Sequence, residues 1–354
     1  MKGIKYILKG RQAILPNLIV YDISTVLVIT LLVTITPAFY SCSKQENASP
    51  GKGTMHRVSI NVKSIPGMPR PVDIFFFNDD RLRRLDSYMR TDISGTLEAA
   101  SREGAKIMSI IANSPLLEDE CCKIHTYEDL EAMYTELKDE TTDSPVMSAE
   151  RKVNAGHENH CSITLEPIMS KVRINSISCD FHGKPYKGST LANVKIYLTN
   201  VCSRFPLSGK GPKTPECIIN HGHLSKEDIA VFKDPGMIFR EIDTNIGETV
   251  LFPDIDLYCY PNMCDEEGLG ASFTRLVIEG TLDGAVTYYP IDINRGDWSS
   301  LDNKGVGRNS AYIYDITITK RGTSSPDIPI AICDAGCTFT ARPWNMAEDR
   351  VIEY

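Results

Sequence analysis

Apolar and polar residues alternate over several short stretches of the chain, beginning at residues 57–63. Val58, Ile60 and Val62 alternate there with polar side chains, which predicts a strand with one buried face. Residues 72–77 are mostly apolar and predict a strand buried on both faces. Residues 96–100 and 107–112 predict a hairpin with Gly104 in its turn.

The first helix signal stands at Thr126. Asp129 follows three positions later and completes a capping box. Apolar residues from Leu130 to Leu137 then recur at helical spacing, so we expect them on one buried face. A second, shorter helix is predicted at residues 225–232, with Ser225 as its N-cap.

Polar, irregular residues at 138–156 indicate a connection between two domains, with a boundary near His157. We therefore assign an N-terminal domain to residues 55–157 and a C-terminal domain to residues 158–354. The later strands are predicted at 162–165, 171–178, 194–201, 250–260, 273–279, 287–294 and 311–320, with a loop at 203–214. Many strands and few short helices predict an all-β chain with two β-sandwich domains in tandem.

The N-terminal part of the chain has a different pattern. Basic residues precede an apolar core at 26–36, and a small polar residue then precedes Cys42. This order is typical of a secretory signal, and the cysteine suggests a bacterial lipoprotein signal at residues 1–41. Cys42 would carry the lipid, and polar residues 42–54 would form a flexible tether. An uncleaved membrane helix fits less well, because Asp22 and Pro16 interrupt the roughly 20 apolar residues that a span needs.

Composition restricts the choice of function. The chain has 354 residues and a net charge of -8, without a basic stripe, so no nucleic-acid partner is expected. Ten cysteines remain beside Cys42, an even number that permits disulfides in an exported protein. The closely spaced pairs Cys259/Cys264 and Cys333/Cys337 are the predicted short disulfide loops, and the alternative for any one cysteine is a free buried thiol.

No motif in the sequence makes a case for an enzyme, and no cofactor or metal is expected. Cys217, His221 and His223 form the best metal-like cluster, but a fourth ligand for zinc is missing. Residues 295–297 spell Arg-Gly-Asp, a tripeptide bound by some host adhesion receptors, and a turn explains it equally well. A host adhesion target therefore stays open as a partner.

The two ends of the exported chain are the candidate sites of strand exchange. Terminal strands are those most easily passed between subunits, and an open sheet edge accepts such a strand. The N-terminal candidates are Arg57, Val58, Ile60 and Val62, and the C-terminal candidates are Thr338, Phe339 and Thr340. The alternative is that both segments pair within their own sheets.

Several short motifs follow one another in an order that resembles a known family. They lie at residues 72–80, 110–115, 127–130, 144–148, 307–318, 322–327 and 343–344. Together with Cys42, they resemble the type V pilus (fimbrillin) superfamily, and most of all its minor-fimbria anchor proteins. The resemblance covers nearly the whole exported chain.

The resemblance implies two transthyretin-like β-sandwich domains, lipoprotein export to the outer membrane, and assembly with other fimbrial subunits by strand exchange. It also implies that polymerising members lose their first strand to an arginine-specific protease, for which Arg57 and Arg70 are the candidate sites. The short predicted turn after the first strand favours a lipid-anchored anchor or assembly subunit that keeps its first strand.

The sequence leaves two alternative functions open. One is a polymerising shaft or tip subunit. The other is a surface lipoprotein that does not polymerise and binds glycans or host proteins. For the glycan-binding alternative, a sugar platform would draw on aromatic residues Tyr258, Tyr260, Tyr288, Tyr289 and Trp298.

Overall fold

Strands make up most of the computed structural model, which describes residues 54–63, 71–92, 96–157, 160–268, 270–295, 304–328 and 338–344, with the backbone alone at 338–343. All of them lie in one compact unit, Gly51–Tyr354. Within these ranges, no helix combines the length and apolarity that a membrane crossing requires. The predicted leader, Cys42 and Arg70 lie outside the described residues.

The strands are numbered along the chain. The first nine are β1 (Met55–Lys63), β2 (Pro71–Asn78), β3 (Leu85–Asp92), β4 (Thr96–Arg102), β5 (Gly104–Ala112), β6 (Tyr134–Glu136), β7 (Met147–Ala155), β8 (His160–Thr164) and β9 (Glu166–Pro167). The others are β10 (Ser170–Cys179), β11 (Ala192–Thr199), β12 (Val201–Cys202), β13 (Arg204–Pro206), β14 (Ile218–Ile219), β15 (Phe239–Ile242), β16 (Ile255–Cys259), β17 (Arg275–Leu282), β18 (Ala285–Asp292), β19 (Ser310–Ile318) and β20 (Thr338–Pro343). The helices are α1 (Glu118–Cys121), α2 (Tyr127–Glu131) and α3 (Lys226–Ala230), with short 3-10 turns at Leu137–Asp139 and Pro235–Met237.

Two sheets form the first sandwich. A three-stranded sheet in the order β4-β1-β8 faces a five-stranded sheet in the order β3-β2-β5-β7-β9. Apolar residues of both sheets share one core between them, including Ile60 and Phe76. The opposite face of β2 is also buried, and Phe77 packs edge-on against Tyr127 of α2 with ring centroids 5.5 Å apart. The prediction that β2 is buried on both faces is therefore confirmed.

The second sandwich is built from two four-stranded sheets. One has the order β16-β10-β19-β20 and the other β15-β11-β17-β18. One face of β19 is buried throughout, at Tyr312, Tyr314, Ile316 and Ile318. These residues belong to a core that continues to the outer face of the first sandwich. The prediction of an all-β chain with few short helices is confirmed.

The prediction of an irregular connection at residues 138–156 is wrong for residues 147–155. These residues form β7, which pairs with β5 over its whole length, from Gly104↔Ala155 to Ala112↔Met147. Its outward side chains are charged, and this masked the strand signal. Beyond the predicted boundary at His157, β8 pairs with β1 and β9 pairs with β7, so the first pair of sheets extends to Pro167. The division of the chain into two domains remains a prediction.

The helix at Thr126 has the predicted capping box, in which the side chains of Thr126 and Asp129 bond each other's backbone N–H groups. It ends at Glu131, however, and the expected continuation to Leu137 is wrong. Residues 134–136 form β6 instead, paired with β13 in the segment predicted as a loop. Tertiary pairing here overrides a local helical pattern.

The predicted Cys259/Cys264 disulfide is also wrong in this structure, where both thiols are free and buried. Cys259 lies on β16 and faces the core of the second sandwich. Cys264 instead directs its thiol to the carbonyl oxygens of Ala271 and Ser272. Cys333 and Cys337 lie outside the described residues.

Candidate strand-exchange site

Strand β1 presents one apolar face to the first core. Val58 and Ile60 are completely buried and Val62 is 9% exposed, while Arg57, Asn61 and Lys63 are exposed. The alternation therefore places every second side chain in the core, as the sequence predicted. Burying one such side chain contributes roughly 1.5–3 kcal/mol, so this face supplies several kcal/mol of stability.

The neighbours of β1 come from distant parts of the chain. On one side β1 pairs with β4 in antiparallel register, from Met55↔Arg102 to Asn61↔Thr96. On the other side it pairs with β8 in parallel register, from Ser59↔His160 to Lys63↔Thr164. β1 is thus the central strand of its sheet, although it is the first strand of the described chain.

We call the space that β1 fills between β4 and β8 the β1 slot. Its walls carry the apolar cross-strand neighbours of β1, which are Leu97, Ala99, Cys161 and Ile163. Without β1, the backbone edges of β4 and β8 would lose their only partner in this sheet. Such an apolar cleft between two unpaired edges is the kind of site that accepts an extended strand.

The two candidate protease sites differ in their position relative to the β1 slot. Arg57 is exposed, but its backbone lies in the β1–β4 ladder opposite Ala100. A cut after Arg57 would leave Val58, Ile60 and Val62 in the slot, because all three follow it. A cut after Arg70 would separate the whole of β1 from β2, which begins at Pro71.

The C-terminal candidate segment occupies a different place. Thr338, Phe339 and Thr340 belong to β20, which pairs with β19 and, among the described strands, forms an edge of the second sandwich. Trp344 follows this strand and is 7% exposed; its backbone N–H donates to the carbonyl oxygen of Asn309 at 2.9 Å. Its ring lies 5.6 Å from that of Tyr258. The two candidate segments therefore lie in different sheets and are not brought together.

The other motifs do not assemble into a site. Among the described residues, no group of three His, Cys, Asp or Glu side chains is placed to hold a metal ion. Cys217 is exposed, and a ring nitrogen of His223 is hydrogen-bonded to the backbone of His221 at 2.8 Å. Arg295 is buried, and its guanidinium donates to the carbonyl oxygen of Cys264 at 2.5 Å. The arginine of the Arg-Gly-Asp tripeptide is therefore not displayed to a receptor.

The predicted aromatic platform is not formed. Tyr260 and Tyr289 are buried in the core, and Trp298 lies outside the described residues. Tyr258 instead lines an open cleft of about 720 Å³ together with Phe252, Arg173 and Asp256. Phe252 is 69% exposed, and sequence reasoning missed it because a single aromatic residue in a loop carries no periodic signal.

A buried carboxyl group lies between the β6 segment and β16. Glu140 accepts hydrogen bonds from the hydroxyl of Tyr260 at 2.8 Å and from the N–H of Val146 at 3.0 Å. Burial raises the pKa of Glu140, and these hydrogen bonds only partly oppose the shift. Its position favours a structural role, because it links residues far apart in the chain.

The fold is that of solved fimbrilins and candidate cell adhesion proteins. A candidate cell adhesion protein from Bacteroides eggerthii matches with a TM-score of 0.61 at 17% identity, over 84% of this chain and 98% of that chain. A fimbrilin from Porphyromonas gingivalis matches with a TM-score of 0.58 at 13% identity, over 81% and 97%. A further candidate cell adhesion protein, from Parabacteroides distasonis, matches with a TM-score of 0.59 at 15% identity, over 82% and 100%. No protein-family model and no curated protein sequence matches the chain.

Proposed function

We propose that this chain is a structural subunit of a cell-surface fimbria, without catalytic activity, that joins other fimbrial subunits by strand exchange. The observation that carries the proposal is the position of β1. It is the first strand of the described residues, yet it lies between β4 and β8 with its apolar face in the core. The shared fold with a fimbrilin and with candidate cell adhesion proteins supports the same role.

Within this role, we assign the chain to the base of the fimbria, as an anchor or assembly subunit held at the outer membrane by lipid on Cys42. The sequence pattern at residues 26–42 supports export and lipidation. An anchor would keep β1 in its slot, since the lipid and β1 are parts of one segment. The C-terminal strand β20, at a sheet edge, is then the segment offered to a neighbouring subunit.

Membrane fractionation tests the lipid anchor. Cys42→Ala is expected to move the protein from the outer-membrane fraction to the soluble fraction and to abolish incorporation of a labelled fatty acid. Cys217→Ala serves as the control, because this exposed thiol lies far along the chain from the leader. Retention of Cys42→Ala in the outer membrane would contradict the anchor.

The mature N-terminus separates an anchor from a shaft or tip subunit. An anchor begins at a lipidated Cys42 and retains β1. A polymerising subunit begins after Arg70, and Arg70→Ala would then block the formation of a high-mass ladder on gels of unboiled samples. A start after Arg57 would leave the β1 slot filled, so it would not support strand exchange at this slot.

The cleft beside Phe252 favours a second candidate function, the binding of glycans. Aromatic rings stack on the apolar faces of sugars, and the cleft also contains the ion pair between Arg173 and Asp256, with Nε of Arg173 2.6 Å from Oδ1 of Asp256. Phe252→Ala and Tyr258→Ala should abolish retention on a glycan array. Val231→Ala, which changes another exposed apolar side chain outside the cleft, should leave it unchanged. Equal retention of all variants would remove this candidate.

A further inference from the structure

Three polar side chains meet inside one end of the first sandwich. Asn78 ends β2, Asp86 lies on β3, and Lys106 lies on β5, where it is the direct cross-strand partner of Asn78. The side chain of Lys106 is 4% exposed and that of Asp86 is 2% exposed. Lysine is almost never this deeply buried unless it is paired, so the surroundings of its amine are informative.

The amine of Lys106 lies against the side-chain amide of Asn78. Its Nζ is 2.5 Å from Oδ1 of Asn78. Since a C=O bond is about 1.23 Å long, Nζ lies no more than about 3.7 Å from the amide carbon Cγ. This is close to the separation of about 3–3.5 Å from which a nucleophile attacks.

A carboxylate stands beside the same amine. Oδ2 of Asp86 lies 3.6 Å from Nζ of Lys106. The hydroxyl of Ser101 donates to Oδ2 at 2.9 Å, and the backbone N–H of Arg102 donates to it at 2.8 Å. The side chain of Arg102 also donates to the other oxygen, at 3.2 Å. These contacts hold the carboxylate in place next to the amine of Lys106.

We propose that Lys106 and Asn78 form an intramolecular isopeptide bond, with Asp86 as the proton-transfer group. The ammonium of Lys106 gives a proton to Asp86, and the neutral Nζ attacks Cγ of Asn78 to form the new C–N bond. Asp86 passes this proton to Nδ2, then takes the second proton from Nζ and passes it to Nδ2 as well, and the bond from Cγ to Nδ2 breaks. Nδ2 leaves as ammonium, the carboxylate of Asp86 is restored, and no oxidant or cofactor is consumed.

The bond would close a covalent loop between residues 28 positions apart. This loop contains β3 and β4, and β4 forms one wall of the β1 slot. A cross-link of this kind stabilises a fold chiefly by restricting the unfolded chain, as a disulfide does. It would also keep β2 and β5 together under tension. This inference does not depend on the proposed fimbrial role.

The intact mass of the purified native protein tests the bond. We expect a mass lower than that of the uncrosslinked chain by one ammonia molecule, and a proteolytic digest in which the peptides of Asn78 and Lys106 remain joined. Lys106→Arg and Asp86→Asn should each show the full mass and separate peptides. Lys152→Arg is the matched control, because Lys152 lies on neighbouring β7 but contacts only exposed Asp79, and it should keep the mass deficit.

Two results would overturn the inference. One is a wild-type protein of full mass whose peptides separate completely. The other is an ammonia deficit that maps to a single unlinked peptide. Both readouts come from the wild-type chain, so a variant that fails to fold does not leave the inference undecided.

Discussion

Arg308 and Ser148 are 160 residues apart in the chain, yet Nη2 of Arg308 donates to the carbonyl oxygen of Ser148 at 2.5 Å. The same guanidinium donates to the carbonyl oxygens of Glu166 at 2.7 Å and Pro167 at 3.1 Å. Burial lowers the pKa of Arg308, and its contacts are three backbone carbonyls. One side chain next to β19 thereby holds the end of the first pair of sheets.

Replacing Arg308 is therefore expected to destabilise the protein. Arg308→Ala should lower the free energy of unfolding by about 2–4 kcal/mol, because the backbone carbonyls of Ser148, Glu166 and Pro167 lose a charged donor. Arg308→Lys should restore little, since an ammonium cannot reproduce the planar fork of donors. Lys213→Ala is the control, because its ion pair with Asp265 is exposed and should change stability by less than about 1 kcal/mol. Denaturant unfolding measures all three; equal midpoints for Arg308→Ala and Lys213→Ala would contradict the prediction.

The two faces of β1 should respond differently to substitution. Ile60→Ala removes a completely buried side chain and should cost about 2–5 kcal/mol. Asn61→Ala changes the next residue of the same strand on its exposed face and should be nearly neutral. Hydrogen exchange should show that Ile60→Ala exposes the amides of β4 and β8 as well, because β1 is their shared partner. Loss of protection confined to β1 would argue against a shared slot.

Trp344 is expected to fix the end of β20. Its ring packs against Tyr258 and lies 5.9 Å from Nζ of Lys171. Trp344→Ala should speed hydrogen exchange at the backbone amides of residues 338–342 while β1 stays protected, since the two strands lie in different sheets. Val250→Ala, which removes a half-exposed apolar side chain, provides the comparison. Unchanged exchange in residues 338–342 would show that β20 is held by its ladder alone.

Glu140 should make stability depend on pH. A carboxyl group with a raised pKa binds its proton more tightly in the folded state than in the unfolded state. The free energy of unfolding therefore falls as the pH rises from the ordinary pKa of glutamate through the raised pKa of Glu140. Glu140→Gln imitates the protonated form and should be more stable than the wild type at neutral pH, with little difference in acid. Thermal unfolding between acid and neutral pH measures this. A parallel pH dependence in both proteins would contradict the assignment to Glu140.

The sequence predicted those elements whose own side chains carry the signal. The alternation at Val58, Ile60 and Val62 located β1, and the pattern from Tyr312 to Ile318 located β19. It missed β7, because charged outward residues obscured the strand pattern. It also extended α2 too far, because the pairing of β6 with β13 depends on residues about 70 positions away.

The candidate sites were likewise only partly predictable from the sequence. The sequence identified β1 as a terminal strand, but not as a central one, because its parallel pairing with β8 joins residues about 100 positions apart. It gave no hint of the cluster of Asn78, Asp86 and Lys106. Common polar residues at irregular spacing become informative only when the sheet register places them together.

The parallel pairing of β1 with β8 also sets an order of events during folding. The first strand to be synthesised cannot have both its neighbours until His160–Thr164 has been made. Contacts over such long separations form late, because the chain between them must first be closed into a loop. β1 is therefore expected to dock among the last elements of its sheet. Until β1 docks, the space between β4 and β8 stays open in the unfinished sandwich.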